Sequence, residues 1–390
     1  KFRIFIVGAK RTPFCKHGGT LRDLPAYQPF AAAAKAAMQT AKLDPSLVDN
    51  TVVGNVHFLS QCDGGKTARY CGIYSGVPLD RPALGVGKAC GTGLQAVVSS
   101  AVDILTGAAK ISLAGGTEIM SALPLLVRNV RFGTSLAGSY ILEDHIPKEF
   151  PDSYVGASLQ RIAEDMAKKY GITRREVDEF ALQSHLKWKK AQETGVFADE
   201  LTPITVTIKK KEVTIDRDDV TQDLSLEDLQ AVPALLDQGS VVTTANSAPP
   251  ADGAAALLLA TESSLQHRPP LARLAGWARV GVDPAAGLGA VAAVERLLGE
   301  QKLAVGDVDL FEINETFASQ ALVATRLLGL DAGAVNTAGG ALALGHPAAA
   351  TGARMVAHLA HQINRLKVKR AIAASSCGGG QGIAVLLESV

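Results

Sequence analysis

The sequence has few of the features that mark disulfide scaffolds, zinc modules or nucleic-acid-binding proteins. Only five of its 390 residues are cysteine, and none lies in a Cys-x-x-Cys pair. This argues against a disulfide framework or a zinc site of paired cysteines, and it favours a reducing compartment. The formal net charge is only +1, so the overall charge does not indicate a nucleic-acid partner.

Long apolar runs are also missing. No apolar stretch reaches about 18 residues, so no membrane span is expected. Hydrophobic residues make up 47% and charged residues 20%, which is typical of a globular protein, and 390 residues predict two or three domains. The sequence begins at Lys1 rather than Met. That is compatible with an upstream segment having been cleaved or omitted, and a targeting signal there would not be seen.

Nucleotide-binding loops are absent as well. Residues 91–96 fit a loose Gly-x-Gly-x-x-Ala dinucleotide fingerprint, but no clear strand precedes them and no acidic strand end follows about 20 residues on. No Gly-x-x-x-x-Gly-Lys-Ser/Thr phosphate loop occurs. We therefore expect neither a dinucleotide cofactor nor a phosphate loop of these types.

What is present is an alternation of strands and helices that occurs twice. The Val-Asp pair before the strand at 308–314 resembles the one at Val48-Asp49, so residues 1–118 and about 266–390 are interpreted as two related halves. Strands alternating with helices predict a mainly parallel sheet covered on both faces. The predicted strands are 2–7 ending at Gly8, 52–56, 110–114 stopped by Gly115-Gly116, 308–313 and 369–375; the predicted helices are 29–42, 93–106 and 348–366.

The region between the halves has a different pattern. Residues 119–245 are locally basic, with amphipathic helices expected at 157–170 and 175–193 and a strand at 204–208. We predict a lid or binding insertion, although the sequence alone favours a solvated face as the explanation of the basic runs. The chain then returns to the first half through about 246–265, with a strand near 251–260.

Two distant cysteines are each followed by glycine. Cys90 precedes the helix at 93–106, where the helix dipole is expected to favour the thiolate. Cys377 precedes three glycines, whose backbone N–H groups can converge on an oxyanion. Each residue taken alone also fits a packed cysteine in a glycine turn.

Two further polar residues stand at the ends of predicted elements. His346 lies between Gly345 and Pro347 at the start of the helix at 348–366, and a histidine there can take a thiol proton near neutral pH. Asn314 follows the strand at 308–313 and could hold a water or donate to a carbonyl oxygen. The alternatives are a capping or core histidine and an asparagine that only terminates a strand.

Together these segments resemble the thiolases, and the resemblance covers the whole chain. Segments 127–134 and 181–184 look most like the mitochondrial 3-ketoacyl-CoA thiolases. The ketoacyl synthases, which share the duplicated architecture, are the second family considered, but the segments at 314–317 and 378–382 favour thiolase. The resemblance is carried by residues 11–14, 88–95, 115–121, 314–318, 339–347 and 378–382.

The resemblance implies an α/β fold of two related halves with mixed sheets in α-β-α-β-α layers. An inserted loop domain at 119–245 would bind CoA. It also implies a homodimer or homotetramer, acyl-CoA partners, and coenzyme A as a co-substrate with no permanently bound cofactor or metal. The expected location is the mitochondrial matrix, with the peroxisome or a bacterial cytoplasm as alternatives.

The implied activity is the thiolytic cleavage of 3-ketoacyl-CoA in β-oxidation through an acyl-cysteine intermediate. By resemblance, Cys90 is the nucleophile, His346 activates it, and Cys377 protonates the leaving enolate. One oxyanion hole would be His346 with a water held by Asn314. The other would be backbone N–H groups at Cys90 and in the last glycine turn, at Gly378 or Gly379.

Several positions depart from the family pattern. Thiolases place one residue between the second cysteine and the glycines, so a gapless match puts Ser376, not Cys377, at that position. The Asn-Glu-Ala-Phe segment becomes Asn-Glu-Thr-Phe here. In the CoA region, Ser247 stands beside the expected serine position, and Thr221 stands where an arginine is expected ahead of Ser225. The alternative functions are condensation of two acetyl-CoA molecules and CoA binding with little turnover.

Overall fold

The structure, a computed structural model, describes residues 3–149, 151–219, 223–265 and 268–390. The strands within these ranges are β1 (Ile4–Arg11), β2 (Cys15–Lys16), β3 (Asn50–Gly54), β4 (Ala83–Val86), β5 (Ile111–Ile119), β6 (Leu125–Leu126), β7 (Glu143–Asp144), β8 (Pro151–Asp152), β9 (Ala157–Ser158), β10 (Ile204–Ile208), β11 (Lys211–Ile215), β12 (Ala251–Thr261), β13 (Ala272–Gly281), β14 (Leu310–Ile313), β15 (Arg370–Cys377) and β16 (Gln381–Glu388). The helices are α1 (Tyr27–Thr40), α2 (Thr67–Ser75), α3 (Thr92–Leu105), α4 (His145–Glu149), α5 (Leu159–Lys169), α6 (Arg174–Glu193), α7 (Leu226–Ala231), α8 (Gly289–Gln301), α9 (Ala318–Leu327), α10 (Ala341–Leu344) and α11 (Ala348–Leu366).

One mixed sheet of ten strands runs through the described part of the chain. Its order is β14-β15-β16-β13-β1-β12-β5-β3-β4, with β2 paired to β12. Only the pairs β14/β15, β3/β5 and β3/β4 are parallel. The expectation of a mainly parallel sheet is therefore wrong, while the mixed α/β architecture is confirmed. The reason is local, because β15 and β16 are joined by a three-residue glycine turn and so must run antiparallel.

The two halves share one hydrogen-bonding arrangement at the start of their parallel strands, in which an aspartate accepts from two backbone N–H groups. Asp49 Oδ2 accepts from the N–H groups of Lys110 and Ile111 at 2.8 and 3.0 Å. Asp309 Oδ2 accepts from the N–H groups of Lys369 and Arg370 at 2.8 and 2.9 Å. In each half the Val-Asp pair ties the beginning of one parallel strand to its neighbour, as the repeat in the sequence suggested.

Helices lie between the strands of the two halves as well as on their outer faces. Leu257 and Leu259 of β12 pack into the cluster that contains α3 and α11, whereas Leu258 packs against α1. In the other half, Ala373 faces that same middle cluster and Ile372 faces α8. Since successive strand residues point to opposite faces, α3 and α11 form a middle layer shared by both halves. The layered core implied by the resemblance is confirmed.

The two middle helices approach each other closely near their N-termini. A Cβ on Gly93 would lie 2.3 Å from the Ala353 nitrogen, and one on Gly116 of β5 would lie 1.8 Å from the Ala349 oxygen. The strand β5 therefore continues through Gly116 to Ile119 instead of stopping at the glycines. These glycines allow α3, α11 and β5 to pack backbone to backbone, which brings the starts of α3 and α11 together.

The segment between the halves carries α4 to α7 and the hairpin β10/β11. Lys209 and Lys210 form the exposed turn of that hairpin. The return strand β12 pairs with β1 and β5. The division into 1–118 with 246–265, 119–245 and 266–390 stays a prediction. Within the described ranges, no helix has both the length and the apolar character needed to cross a bilayer.

Candidate active site

A cleft opens where the end of β15 meets the start of α3. It holds about 470 Å³ of empty space, part of it open to solvent. Residues from α5 and from the loop before α8 close its other sides. It is lined by Cys90, Asp152, Leu159, Ile162, Ala163, Val282, Pro284, Gly287, Gly289, Thr316, Phe317, Gln320, Ser376, Cys377, Gly378, Gly379, Gly380 and Gln381.

Cys90 lies in a single 3-10 turn, Ala89–Gly91, that leads directly into α3. The turn is held by Thr92, whose hydroxyl donates to the Ala89 oxygen and accepts from the Lys88 N–H, both at 2.7 Å. Burial raises the pKa of the Cys90 thiol, and the nearby Thr316 hydroxyl offsets part of that rise. Burial thus opposes the thiolate that the helix dipole was expected to favour.

Cys377 lies next to this turn. A Cβ on Gly91 would be only 2.5 Å from Cys377 Sγ, so the glycine is what allows the second cysteine to approach the first. Burial, together with the neighbouring Cys90, raises the pKa of the Cys377 thiol to about 12. At neutral pH both sulfurs are therefore thiols in contact with one cleft.

Ser376, one residue earlier, faces the other side of β15. Its Oγ accepts a hydrogen bond from the Ala290 N–H in the first turn of α8 at 2.9 Å. Ser376 also lines the cleft, so both groups considered at this step border the same space. They differ in their surroundings, since Ser376 is tied to α8 and Cys377 packs on the Cys90 turn.

Asn314 follows β14 and is 5% exposed. Its Nδ2 donates to Thr316 Oγ1 at 3.1 Å and to Ser375 Oγ at 3.3 Å, and its backbone N–H donates to the Ala374 oxygen. It does not line the cleft itself. Its hydrogen-bond partner Thr316, however, lines the cleft together with Cys90.

His346 is buried at the start of α11. Its Nδ1 lies 2.7 Å from Thr351 Oγ1, and that hydroxyl donates its only hydrogen to the Pro347 oxygen at 3.1 Å. With that hydrogen on the Pro347 oxygen, Thr351 Oγ1 accepts from Nδ1–H, which leaves the lone pair on Nε2. No hydrogen-bond partner for Nε2 is found in the described part of the chain. Burial lowers the pKa of His346 to about 4, with His57 and Arg354 contributing, so the imidazole is neutral at pH 7.

Two buried carboxylates fix the chain on either side of His346. Glu118 accepts from the Ala349 N–H at 3.1 Å, and Glu315 accepts from the Leu342 N–H at 3.2 Å. Burial raises the pKa of both carboxyl groups. The His346 N–H also donates to the Pro249 oxygen at 2.9 Å. The imidazole is thus held by backbone contacts before, at and after its own position.

The proposed CoA contacts lie elsewhere. Ser225 caps α7 and exchanges hydrogen bonds with Asp228, and Ser247 Oγ donates to the Thr243 oxygen at 2.7 Å. Neither residue lines the cleft. Thr221 falls outside the described residues.

Comparison with known proteins identifies the family. Residues 4–263 match the family described as Thiolase, N-terminal domain, and residues 268–389 match Thiolase, C-terminal domain. The chain belongs to the thiolase family.

Relatives of this thiolase occur in mitochondria and in bacteria. It is 41% identical to the mitochondrial 3-ketoacyl-CoA thiolase of Homo sapiens, over 99% of this chain and 98% of the relative. It is 36% identical to an acetyl-CoA acetyltransferase of Cupriavidus necator, over 99% of each. The crystal structure of the human mitochondrial enzyme in complex with CoA has a TM-score of 0.95 and 41% identity, over 99% of this chain and 98% of that one.

The functional residues predicted from the sequence do not include two side chains at the site of this thiolase, Thr316 and Thr351. Thr316 was noted only as a departure from the family segment, and Thr351 was not noted. Thr351 stands five residues after His346, in the first turns of α11, a spacing that the rule for neighbours three or four residues apart does not cover. Thr316 and Cys90, which line the same cleft, are more than two hundred positions apart, so local sequence patterns could not reveal that they share it.

Proposed function

We propose that this thiolase cleaves 3-ketoacyl-CoA with CoA, giving acetyl-CoA and an acyl-CoA shortened by two carbons, as in β-oxidation. Family membership and 41% identity to the human mitochondrial 3-ketoacyl-CoA thiolase support the reaction class. The observation that carries the proposal is the cleft that brings Cys90, Cys377 and the last glycine turn together. These are the groups that a nucleophile, a proton donor and an oxyanion site require.

In the first step, Cys90 Sγ attacks the keto carbon and its proton passes to His346 Nε2. The tautomer fixed by Thr351 supports this role, because Nε2 then carries the lone pair. With a raised pKa on Cys90 and a lowered pKa on His346, the resting pair is thiol and neutral imidazole. Proton transfer from Cys90 to His346 therefore accompanies the attack, because the thiol becomes more acidic as its sulfur gives electron density to the new carbon–sulfur bond.

In the second step, the bond between the α-carbon and the former keto carbon breaks. The acyl group stays on Cys90 as a thioester, and the electron pair leaves with acetyl-CoA as an enolate. Cys377 donates its proton to that carbon. A thiol with a pKa of about 12 is protonated at neutral pH, and it is still a far stronger acid than the hydroxyl of Ser376. The hydrogen bond from Ala290 occupies Ser376 Oγ as an acceptor.

In the third step, the thiol of a second CoA attacks the Cys90 thioester, the bond between the acyl carbon and Cys90 breaks, and the shortened acyl-CoA is released while His346 returns its proton to the Cys90 sulfur. The thiolate of Cys377 takes the proton of the incoming thiol. We assign oxyanion stabilisation to His346 with Asn314 on one side and to backbone N–H groups at Cys90, Gly378 and Gly379 on the other. Two oxyanion sites are needed because the carbonyls of the acyl group and of the acetyl thioester both develop charge.

We assign CoA as a co-substrate that is not bound permanently, and the human relative crystallised with CoA supports the assignment. Ser247 and Ser225 remain candidate contacts, together with Thr221. The internal hydrogen bonds of both serines weaken that part of the proposal.

The experiment is thiolysis of 3-ketoacyl-CoA of graded chain length by the wild type and by Cys90→Ala, Ser376→Ala and Cys377→Ala. We expect turnover in the wild type, none in Cys90→Ala, and a large loss in Cys377→Ala but not in Ser376→Ala. No wild-type turnover, with CoA still bound, would favour a CoA-binding protein. Turnover of acetoacetyl-CoA alone would favour the second candidate, condensation of two acetyl-CoA, which the bacterial acetyl-CoA acetyltransferase relative supports.

We further propose that the protein is a homodimer or homotetramer that associates through β4. This strand ends the sheet and pairs with β3 alone among the described strands, and Leu84 on it is 51% exposed. An exposed strand edge with apolar side chains is a ready surface for pairing with a second copy. Light scattering would detect the oligomer, and Leu84→Lys should shift it towards monomer. A monomeric wild type would contradict the proposal.

The proposed location is the mitochondrial matrix, based on the human relative. A bacterial cytoplasm is one alternative, because a relative comes from a bacterium, and the peroxisome is the other. Fractionation of source cells with an antibody against the chain would distinguish the three.

A further inference from the structure

Lys88 carries a positive charge that no nearby carboxylate matches. The side chain is half-buried, and among the described residues it forms no ion pair. Its Nζ instead donates to the neutral side-chain oxygen Oε1 of Gln381 at 2.7 Å. An ammonium group that is partly shielded from water and has no anion beside it can stabilise a negative charge that forms close to it.

Both ends of this contact are fixed by the backbone. Gln381 is the strand partner of Cys377 across the last glycine turn, and its backbone oxygen would lie 1.9 Å from a Cβ on Gly289, so it packs tightly against the start of α8. The Lys88 N–H donates to Thr92 Oγ1 at 2.7 Å, at the start of α3. The ammonium is therefore held between the starts of α3 and α8.

The side chain of Lys88 passes close to the Cys377 sulfur. The position that a Cβ on Gly91 would take lies 2.5 Å from Cys377 Sγ and 3.5 Å from Lys88 Cδ. The sulfur and the lysine stem thus lie beside the same glycine, and Gln381, which holds Nζ, is paired with Cys377. Burial raises the pKa of the Cys377 thiol, and the charge of Lys88 opposes that rise. Geometry and charge therefore both link Lys88 to Cys377.

We propose that Lys88 is a positioning residue for Cys377: its ammonium, anchored by Gln381, provides the counter-charge for the thiolate that forms when Cys377 gives up its proton. The inference rests on the proposed function, in which that proton passes to the α-carbon of the leaving enolate. The S–H bond breaks, a C–H bond forms, and the electron pair of the S–H bond stays on sulfur until the thiol of the second CoA returns a proton. Lys88 itself neither gains nor loses a proton. Because the attraction exists only while the sulfur is charged, it stabilises the reacting state more than the resting thiol.

The other titratable groups at the cleft do not stabilise a thiolate on Cys377. Among the described residues that line the cleft, none is a lysine or an arginine. Cys90 and Asp152 do line it, and a negative charge on either opposes a thiolate on Cys377. The imidazole of His346 is neutral at pH 7. Lys88 is therefore the cation that these contacts assign to the Cys377 sulfur.

The test measures how fast iodoacetamide alkylates Cys377 between about pH 7 and about pH 10, with the modified peptide identified by mass spectrometry. A Cys90→Ala background removes the second thiol, so that only Cys377 reacts and titrates in the cleft. Lys88→Met keeps most of the side-chain length but removes the charge. We expect alkylation about tenfold slower at each pH, which corresponds to a pKa about one unit higher. A purely structural disturbance would instead expose the buried sulfur and make the reaction faster.

Matched variants separate the charge of Lys88 from its role as a tether. Lys88→Arg keeps the charge and should react like the background protein. Gln381→Glu keeps an acceptor for Nζ but places a carboxylate beside it, so the contact remains while the charge is cancelled, and alkylation should be as slow as in Lys88→Met. Lys189→Met removes an exposed lysine that pairs with Asp223 and should change nothing. The exposed Cys62 is an internal control, and its alkylation rate should stay the same in every variant.

Steady-state thiolysis, with Cys90 present, gives the second measurement. Lys88→Met should lower kcat about tenfold with KM nearly unchanged, and Lys88→Arg should retain most of kcat. Unchanged or faster alkylation of Cys377 in Lys88→Met, wild-type kcat in that variant, or unchanged alkylation in Gln381→Glu would overturn the proposal. Alkylation needs no turnover, so a wild type without thiolysis would defeat the proposed function and leave the effect of Lys88 on Cys377 measurable.

Discussion

The replacement Thr351→Val tests how His346 is kept ready to act as a base. Valine keeps the shape of threonine but removes the oxygen that accepts from Nδ1–H at 2.7 Å. The site is fully buried, so an unsatisfied N–H there costs about 1–3 kcal/mol. Nε2 has no hydrogen-bond partner in the described part of the chain either, so without the Thr351 oxygen the proton no longer prefers Nδ1 and also occupies Nε2, which removes the lone pair that takes the Cys90 proton.

The expected size of the effect follows from that cost. Losing a preference of about 1–3 kcal/mol lowers the ratio of the active to the inactive tautomer roughly fivefold to 150-fold, since about 1.4 kcal/mol corresponds to a factor of ten, and this takes the active tautomer from most of the population to about half. We expect kcat for thiolysis to fall about twofold for this reason in Thr351→Val, with KM nearly unchanged. The nitrogen chemical shifts of the His346 ring would report the change of tautomer directly.

Two variants control for effects on folding. Thr351→Ser keeps the hydroxyl and should retain kcat. Thr325→Val removes a similar buried hydroxyl that donates to a carbonyl four residues earlier in α9. It should cost comparable stability but leave kcat intact. The reasoning fails if Thr351→Val keeps wild-type kcat, or if Thr325→Val loses as much activity.

Three further predictions concern stability, measured by urea unfolding. Gly93→Ala should destabilise by about 1–3 kcal/mol or more, because its Cβ would meet backbone atoms of α11, whereas Gly299→Ala in the open interior of α8 should stabilise by about 1 kcal/mol. Glu200→Gln should destabilise by about 3–5 kcal/mol, because it removes a buried charge partner of Arg11. As pH falls from 6.5 to 4, the free energy of unfolding should decrease by about 3 kcal/mol because of His346. The unfolded chain binds a proton in this range, whereas the folded site, where the pKa of His346 is about 4, does not.

Each of these has a matched comparison. Glu300→Gln removes an exposed ion pair with Arg296 and should change stability by less than about 1 kcal/mol. If Glu200→Gln and Glu300→Gln lowered the free energy of unfolding equally, the buried ion pair would contribute no more to stability than the exposed one. His346→Gln should make the acid dependence shallower, leaving the part due to His185, whose pKa burial also lowers to about 4. A stable Gly93→Ala variant would contradict the close contact between α3 and α11.

Much of the fold followed from local sequence patterns. The helix at 348–366 and the strand at 204–208 were predicted with the bounds that the structure has. Glycines caused the main errors. A strand was expected to stop at Gly8 and another at Gly115, yet both continue. A glycine that allows a close contact between elements has the same local pattern as one that breaks a strand.

The site was predicted only in part, for a similar reason. Cys90 and Cys377 were found from their flanking glycines, and they border one cleft. The helix dipole at Cys90 is a local feature that the sequence reveals, whereas the burial that raises the pKa of its thiol depends on the assembled fold. Thr316 borders the cleft beside Cys90 only after β14 and α3 have packed together. Sequence thus indicated the reacting atoms better than the groups that orient them.

The central claim is that Cys90 carries the acyl group between the two half-reactions. Wild-type protein mixed with a 3-ketoacyl-CoA and no free CoA should accumulate the acyl thioester, since its release requires a second CoA. Acid quenching, proteolysis and mass spectrometry should find the acyl mass on the peptide that contains Cys90, and added CoA should remove it. An acyl group on Cys377, or turnover without any acyl-protein, would contradict the account.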